Sequence, residues 1–150
     1  MPLLQRLNEP VMTEHLGGPE TQSQLEARLR RYAAQSEQTH MFKVLEDGVP
    51  AGGVGFWERE WGGETVYETG WSTLPEFQGR GVASKAMEML IGIARKARRH
   101  GTMHAFPSVD NGASNAVCRK LGFELVGETD FEYPKGHWMR CNDWRLAIAE

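Results

Sequence analysis

The apolar positions change period several times along the chain. Leu25, Leu29, Tyr32 and Ala33 share one helical face, and Thr21-Gln22-Ser23-Gln24 before them fits a capping box. "MFKVLEDGVPAGGVGFWERE" carries two strand patterns joined at Asp47-Gly48. Gly62-Gly63 mark a second turn, and "TVYETGWSTL" reads as a third strand. After Gly81 the period becomes helical, with a stripe of Ala83, Ala86, Met87, Leu90, Ala94 and Ala97. Arg95, Lys96, Arg98, Arg99 and His100 crowd the expected last turn, where cations suit the helix dipole, and Gly101 is the expected stop. "MHAFPSV" is a short strand, and "NGASNAVCRKLGF" is a short helix closed by Gly122. Two strands near Phe123–Gly127 and Trp138–Ile148 finish the pattern, while Pro10, Gly17, Gly18 and Pro19 break up the first twenty residues. The order is helix, three strands, helix, strand, helix, two strands: a mixed α/β (α+β) domain around one central sheet.

Composition narrows the picture. The 150 residues are expected to form a single domain, 1–150, with no internal repeat, low-complexity tract or linker. A net charge of −3 gives no general reason to expect a nucleic-acid partner. Cys118 and Cys141 make no disulfide framework, which suits a reducing compartment. The opening "MPLLQRLNEPVMTEH" lacks the apolar run of a signal peptide, and no uncharged run approaches the ~20 residues of a membrane helix. The expectation is a cytoplasmic protein with no membrane partner.

The stretch Gln78-Gly79-Arg80-Gly81-Val82-Ala83 puts two glycines at the start of a strong helix, although glycine in a helix interior costs about 1 kcal/mol relative to alanine. A strand running through a Gly-rich turn into a helix N-terminus is an anion site. Its unpaired N–H groups point outward, and glycines let a phosphate approach the backbone. Gln78 and Arg80 carry side-chain donors for the same ligand. A tight connection without any ligand is the competing reading. A P-loop is excluded because Gly-Lys-Ser/Thr is absent. A dinucleotide fingerprint is only half satisfied by Gly79, Gly81 and Ser84, and it lies after antiparallel strands rather than in a first strand–helix unit.

With these residues in view, the sequence resembles the GNAT superfamily of acetyl-coenzyme-A-dependent N-acetyltransferases. Gln78 to Ala83 resembles that family's Gln/Arg-x-x-Gly-x-Gly/Ala loop, and "NGASNAVCRKLGF" resembles its second motif, Asn-x-x-Ser followed by a short helix and Lys-Leu-Gly-Phe. The two lie about 30 residues apart in the family's order, and the likeness covers about residues 8–148. "YETGWSTLPEFQGRG" and "NEPVMTEHLGGPET" look most like the branch of ribosomal-protein N-terminal acetyltransferases. The resemblance implies a mostly antiparallel central sheet with helices on both faces and no metal. Acetyl-CoA would be the co-substrate and a primary amine, on a small molecule or at a protein N-terminus, the partner that attacks it directly. Backbone amides of Gln78, Gly79, Arg80, Gly81, Val82 and Ala83 would hold the pyrophosphate. The strand ending at Leu74 would splay from the one near Ala105 to admit pantetheine, which Asn111 and Ser114 would also contact; helix capping accounts for both residue types without a ligand.

Two departures stand out. Only Met1–Leu7 precede "NEPVMTEH", so the family's first strand is expected to be short or missing, leaving a sheet edge that a second copy could cover as a homodimer. Where many members carry a tyrosine as general acid, four residues before Gly122, this chain has Cys118. Amine acetylation needs a base, because a free amine is mostly protonated at neutral pH. Glu68 is the candidate, ten residues before Gln78 on the third strand, where many members have a glutamate; a solvated strand carboxylate is the competing reading. A backbone N–H near Leu74 would polarise the thioester carbonyl. Cys118 reads either as a proton donor or as small apolar filler, and Tyr133 is a weaker substitute for the missing tyrosine.

Other constellations point nowhere. His100 and His104 have helical metal spacing but Gly101 lies between them; His104, Ser108 and Asp110 lack a nucleophile elbow. Arg95–His100 reads as a solvated helix end, and Glu58, Glu60, Glu64 and Glu68 as an acidic hairpin. Alternatives to the acetyltransferase are a non-catalytic acyl-CoA-binding module and a nucleotide-binding domain. The identity of the amine is expected to depend on "LNEPVMTEHLGGPET" and "DFEYPKGHWMRCND".

Overall fold

The computed structural model describes residues 39–132 and 136–148. The helix expected from Thr21, the question of a first strand, and Tyr133 lie outside the described residues. Strand β1 (Thr39–Glu46) turns at Asp47-Gly48, both at positive φ, into β2 (Val49–Trp61). Gly62-Gly63, at φ 61° and 84°, turn β2 into β3 (Glu64–Thr73). Two-residue loops with both residues in the left-handed region match the twist of a hairpin.

A single 3₁₀ turn (Pro75–Phe77) leads through the glycine loop into α1 (Val82–Ala97). Then come β4 (Thr102–Ala105), α2 (Gly112–Lys120), β5 (Glu124–Glu132) and β6 (Trp138–Ala147). The sheet order is β1-β2-β3-β4-β6-β5, antiparallel throughout except for β3 beside β4.

Among the described residues, the core lies on the side of the sheet that bears α1 and α2. Met87, Leu90, Ile91 and Ala94 of α1 and Cys118 of α2 join Phe56, Tyr67, Met103 and Trp144 of the strands in one buried cluster. The buried face of α1 includes Ser84 and Ile91 rather than Ala97, which is exposed. Helix α1 also stops earlier than Gly101: Arg98 takes the left-handed cap at φ 54°. Arg99 and His100 are therefore in the connection to β4, where both bond Glu58 Oε1, at 2.9 and 2.8 Å. The basic run is thus partly a clasp onto β2 rather than a solvated helix end. Strand β5 outruns its expected end at Gly127 because the polar residues after it pair with β6, as Thr129 does with Cys141. An edge strand can carry polar residues on its open side without losing its ladder.

Candidate active site

Strands β3 and β4 part in the middle of the sheet. Their parallel pairing consists of Tyr67–Met103, Glu68–His104 and Thr69–Ala105. Beyond Thr69, β3 continues beside β2 as far as Thr73. The chain after Ala105 instead stays with β6: Asn142 N–H donates to Pro107 O at 2.9 Å and Val109 N–H to Arg140 O at 3.1 Å. A wedge thus opens between Gly70–Thr73 and residues 106–109, the splay expected at this point of the sequence.

The backbone alternation of β3 decides which groups face the wedge. Leu74 N–H donates to Ala51 O at 2.7 Å, so it points toward β2 and is not free for a thioester carbonyl. By alternation, the N–H groups of Trp71 and Thr73 point into the wedge. Leu74 itself is buried, 2 % exposed, and anchors the start of the loop.

Gly79 and Gly81 have φ of 77° and 75°, a region that non-glycine residues rarely adopt. A Cβ at either would meet no atom within 4 Å, so the chain does not need these glycines to avoid a clash with itself. Their conformation shapes a concave backbone with open space above it. Lys85 N–H is the first in α1 to find an intrahelical acceptor, Gly81 O at 3.0 Å, leaving the N–H groups of Val82, Ala83 and Ser84 at the helix mouth. This fits a pyrophosphate on chain geometry alone. Gln78 is engaged otherwise: its N–H reaches Pro75 O at 3.3 Å and its Nε2 donates to Thr73 O at 2.9 Å, holding the loop against the end of β3. Arg80 is exposed, with its guanidinium 5.7 Å from the Phe77 ring centre.

Asn111 caps α2, its Oδ1 accepting from Ser114 N–H at 3.1 Å. The residue between this pair and the core was not legible as important. Asn115 is buried; its Nδ2 donates to Ser108 O and Asn111 O, and its Oδ1 accepts from Asn142 and Trp144, all within 3.0 Å. It ties the loop after β4 to β6 and so helps hold the wedge open. Cys118 is 0 % exposed on the helix side, and burial pushes its thiol up to about 12.

Glu68 faces the other side of the sheet. It is 8 % exposed, and Arg59 Nη1 donates to its Oε1 at 2.8 Å. Burial raises its carboxyl above the ordinary carboxylate range, while Arg59, a Trp57 hydrogen bond and His104 oppose that rise. Beside it, His104 Nδ1 is 2.6 Å from Asp143 Oδ1, and Trp61 Nε1 donates to Asp143 Oδ2 at 3.1 Å. His104 therefore pairs with Asp143, whereas Ser108 Oγ donates to Asp110 at 2.6 Å. The pattern along the chain does not mark Arg59 or Asp143, and it presents His104 only as a metal-spaced or triad residue type rather than as the partner of Asp143. The available signal was the spacing Trp57-x-Arg59-x-Trp61, which places three large side chains on one face of a strand.

A family model described as an acetyltransferase (GNAT) domain matches residues 1–124, and the chain belongs to that family. No curated protein sequence matches it. Among solved structures it is similar to a putative acetyltransferase, yncA, from Salmonella typhimurium with its cofactor acetyl-CoA, at 25% identity over 99% of this chain and 88% of that one, TM-score 0.79. RimL, a ribosomal-protein α-N-acetyltransferase in complex with coenzyme A, aligns at 21% identity over 98% of this chain and 85% of that one, TM-score 0.79. An aminoglycoside acetyltransferase with coenzyme A aligns at 18% identity over 97% of this chain and 87% of that one, TM-score 0.78. The last two likenesses concern the fold alone. The chain is an acetyl-CoA-dependent acyltransferase.

Proposed function

We propose that this acetyltransferase acylates a primary amine by direct attack on the thioester, with Glu68 as general base. The observation that carries this reading is the position of Glu68, one residue inside the last β3–β4 pair, at the closed end of the wedge. An acyl chain laid along the wedge ends beside that carboxyl. A buried carboxyl with a raised pKa is a better proton acceptor than a solvated one.

In this reading Gly79 to Ala83 hold the pyrophosphate and Trp71 N–H polarises the thioester carbonyl, replacing the Leu74 N–H that Ala51 occupies. Glu68 takes the amine proton as the C–N bond forms. The C–S bond then breaks, and the thiolate takes a proton from solvent. Cys118 is filler: a thiol raised to about 12 and enclosed among Phe123 and Trp144 is a poor donor to a leaving thiolate of lower pKa. Asn111 and Ser114 shape the far wall of the wedge through their cap. We read residues 1–150 as one domain, with the amine entering from the face that bears Glu68.

Turnover with acetyl-CoA and a panel of primary amines, followed by free thiol release, tests the reading. Amine-dependent thiol release that Glu68→Gln suppresses supports it. Release that ignores Glu68 removes the base.

A further inference from the structure

Beside Glu68 lies a box of aromatic rings that already holds a cation. The Arg59 guanidinium carbon is 4.5 Å from the Phe131 ring centre, 5.4 Å from Trp61 and 5.6 Å from Phe106. Phe106 packs on Trp61 and Phe131 with ring centres 4.8 and 5.1 Å apart, so the three rings form one continuous wall. Glu68 accepts from Arg59 on one side, and Asp143, bonded to Trp61 and His104, stands behind the rings. Three ring faces with two carboxylates select for positive charge.

Arg59 fits this box imperfectly. Its Nε is buried with no hydrogen-bond partner, a state that is unfavourable for a donor. Its side chain is nonetheless 35% exposed, so the head group can swing out along its aliphatic stem. A compact ammonium in the same place would leave no donor stranded in that way and would lie against Glu68.

We propose that this box is the ammonium site of the acceptor and that Arg59 is its resident occupant, displaced into solvent when the acceptor enters. The ligand class is an aliphatic ammonium with no carboxylate on the adjoining carbon, because Glu68 and Asp143 would repel one. The exchange replaces one cation with another, so the charge beside Glu68 is conserved. The bound ammonium then gives its N–H proton to the Glu68 carboxylate, and the freed lone pair forms the new C–N bond at the thioester carbonyl as the C–S bond breaks and the thiolate leaves to take a proton from solvent. This deepens the reading of Glu68 as base and rests on it.

Tryptophan fluorescence, with Trp57 and Trp61 as reporters, is titrated with tetramethylammonium chloride at constant ionic strength, and with tert-butanol as the uncharged mimic. Arg59→Ala should bind tetramethylammonium at least tenfold more tightly than the wild type, with no matching gain for tert-butanol. Adding Phe131→Ala, which leaves both reporter tryptophans in place, should abolish the gain. Should Arg59→Ala fail to fold, Arg59→Gln, which is shorter and uncharged but keeps the aliphatic stem and an N–H donor, should show a smaller gain of the same sign. Unchanged or weaker tetramethylammonium binding in a folded Arg59 variant overturns the proposal, as does an equal gain for tert-butanol. The probe cannot be acetylated, so this outcome is separate from turnover: loss of the gain with Glu68-dependent turnover intact sinks the box alone.

Discussion

The two faces of the sheet are built from alternate residues of the same strands, yet they differ in kind. On the helix side, Tyr67, Met103, Cys118 and Trp144 pack against α1 and α2 in a mostly apolar cluster. Of its polar neighbours, Thr69 Oγ1 donates to Gly55 O at 2.7 Å. On the other side, Arg59, Glu68, His104 and Asp143 are threaded between aromatic rings. Tyr67 and Glu68 are adjacent in sequence and buried on opposite sides. Burial thus has two meanings here: on one side it supplies stability, and on the other it shifts a carboxyl toward a useful pKa at some cost to stability.

That contrast is broken most sharply at Glu68. Glu68→Gln is expected to lower kcat by roughly 10²–10⁴, the range for loss of a general base, with acetyl-CoA affinity kept. The deficit should shrink as pH rises and the amine deprotonates unaided. In the wild type the acid limb of the pH–rate profile should lie above the ordinary carboxylate range, because burial raises Glu68 more than Arg59 lowers it. A wild-type rate for the mutant at neutral pH would make Glu68 an ordinary strand carboxylate.

The second test falls on the loop that serves both faces. Gly81→Val should weaken acetyl-CoA binding by more than tenfold, through side-chain atoms over the cradle. Since Gly81 sits at φ 75°, a β-branched residue also strains the backbone. Gly81→Asn separates the two effects, since asparagine tolerates this region. Equal losses for both, by calorimetry, would assign the effect to occupied space; loss in Gly81→Val alone would assign it to strain.

Much of the frame was legible because its signals are local. Asp47-Gly48 and Gly62-Gly63 announce their hairpins through turn chemistry, and Gly79 and Gly81 announce a special backbone. What escaped depends on distant partners. His104 meets Asp143 across 39 residues and Arg99 meets Glu58 across 41, and no periodicity reports such pairs. Charge counted along the chain puts Glu68 with Glu58, Glu60 and Glu64 in an acidic hairpin and gives no sign of the Arg59 that meets it. The alternation that buries Glu68 is visible in the sequence; two of the rings that close over Arg59 are distant, Phe106 just after β4 and Phe131 on β5. Arg98 ended α1 without glycine, by adopting the left-handed cap itself, which residue type alone does not foretell.

On the helix side the expected effects are smaller and of a different sort. Cys118→Ala should destabilise the fold by about 1 kcal/mol, from the small volume it empties, and leave kcat within a few-fold. Cys118→Tyr should destabilise it more, because no space surrounds a side chain that is 0 % exposed. Steady-state rates with saturating acetyl-CoA and melting temperatures on both variants check this. A rate drop beyond about a hundredfold in the alanine variant, with melting unchanged, would move Cys118 into the chemistry.

The smallest effect belongs to Glu58, where the end of α1 is clasped to β2. Hydrogen bonds from His100 and Arg99 hold the Glu58 carboxyl below its ordinary value of 4.5. A carboxyl whose folded pKa is depressed contributes stability that is fully present above its unfolded pKa. That contribution is lost as pH falls through the folded value. The wild type should therefore lose more stability than Glu58→Gln between about pH 5 and the acid limit of folding, and the two should converge there. The magnitude is that of a partly exposed ion pair, screened by salt, so raising ionic strength should narrow the gap at neutral pH. Denaturant melts at several pH values measure it. A gap between the two proteins that stays constant down to the acid limit would mean that the clasp acts through packing of His100 on Tyr67, whose ring centres are 4.9 Å apart, and not through charge.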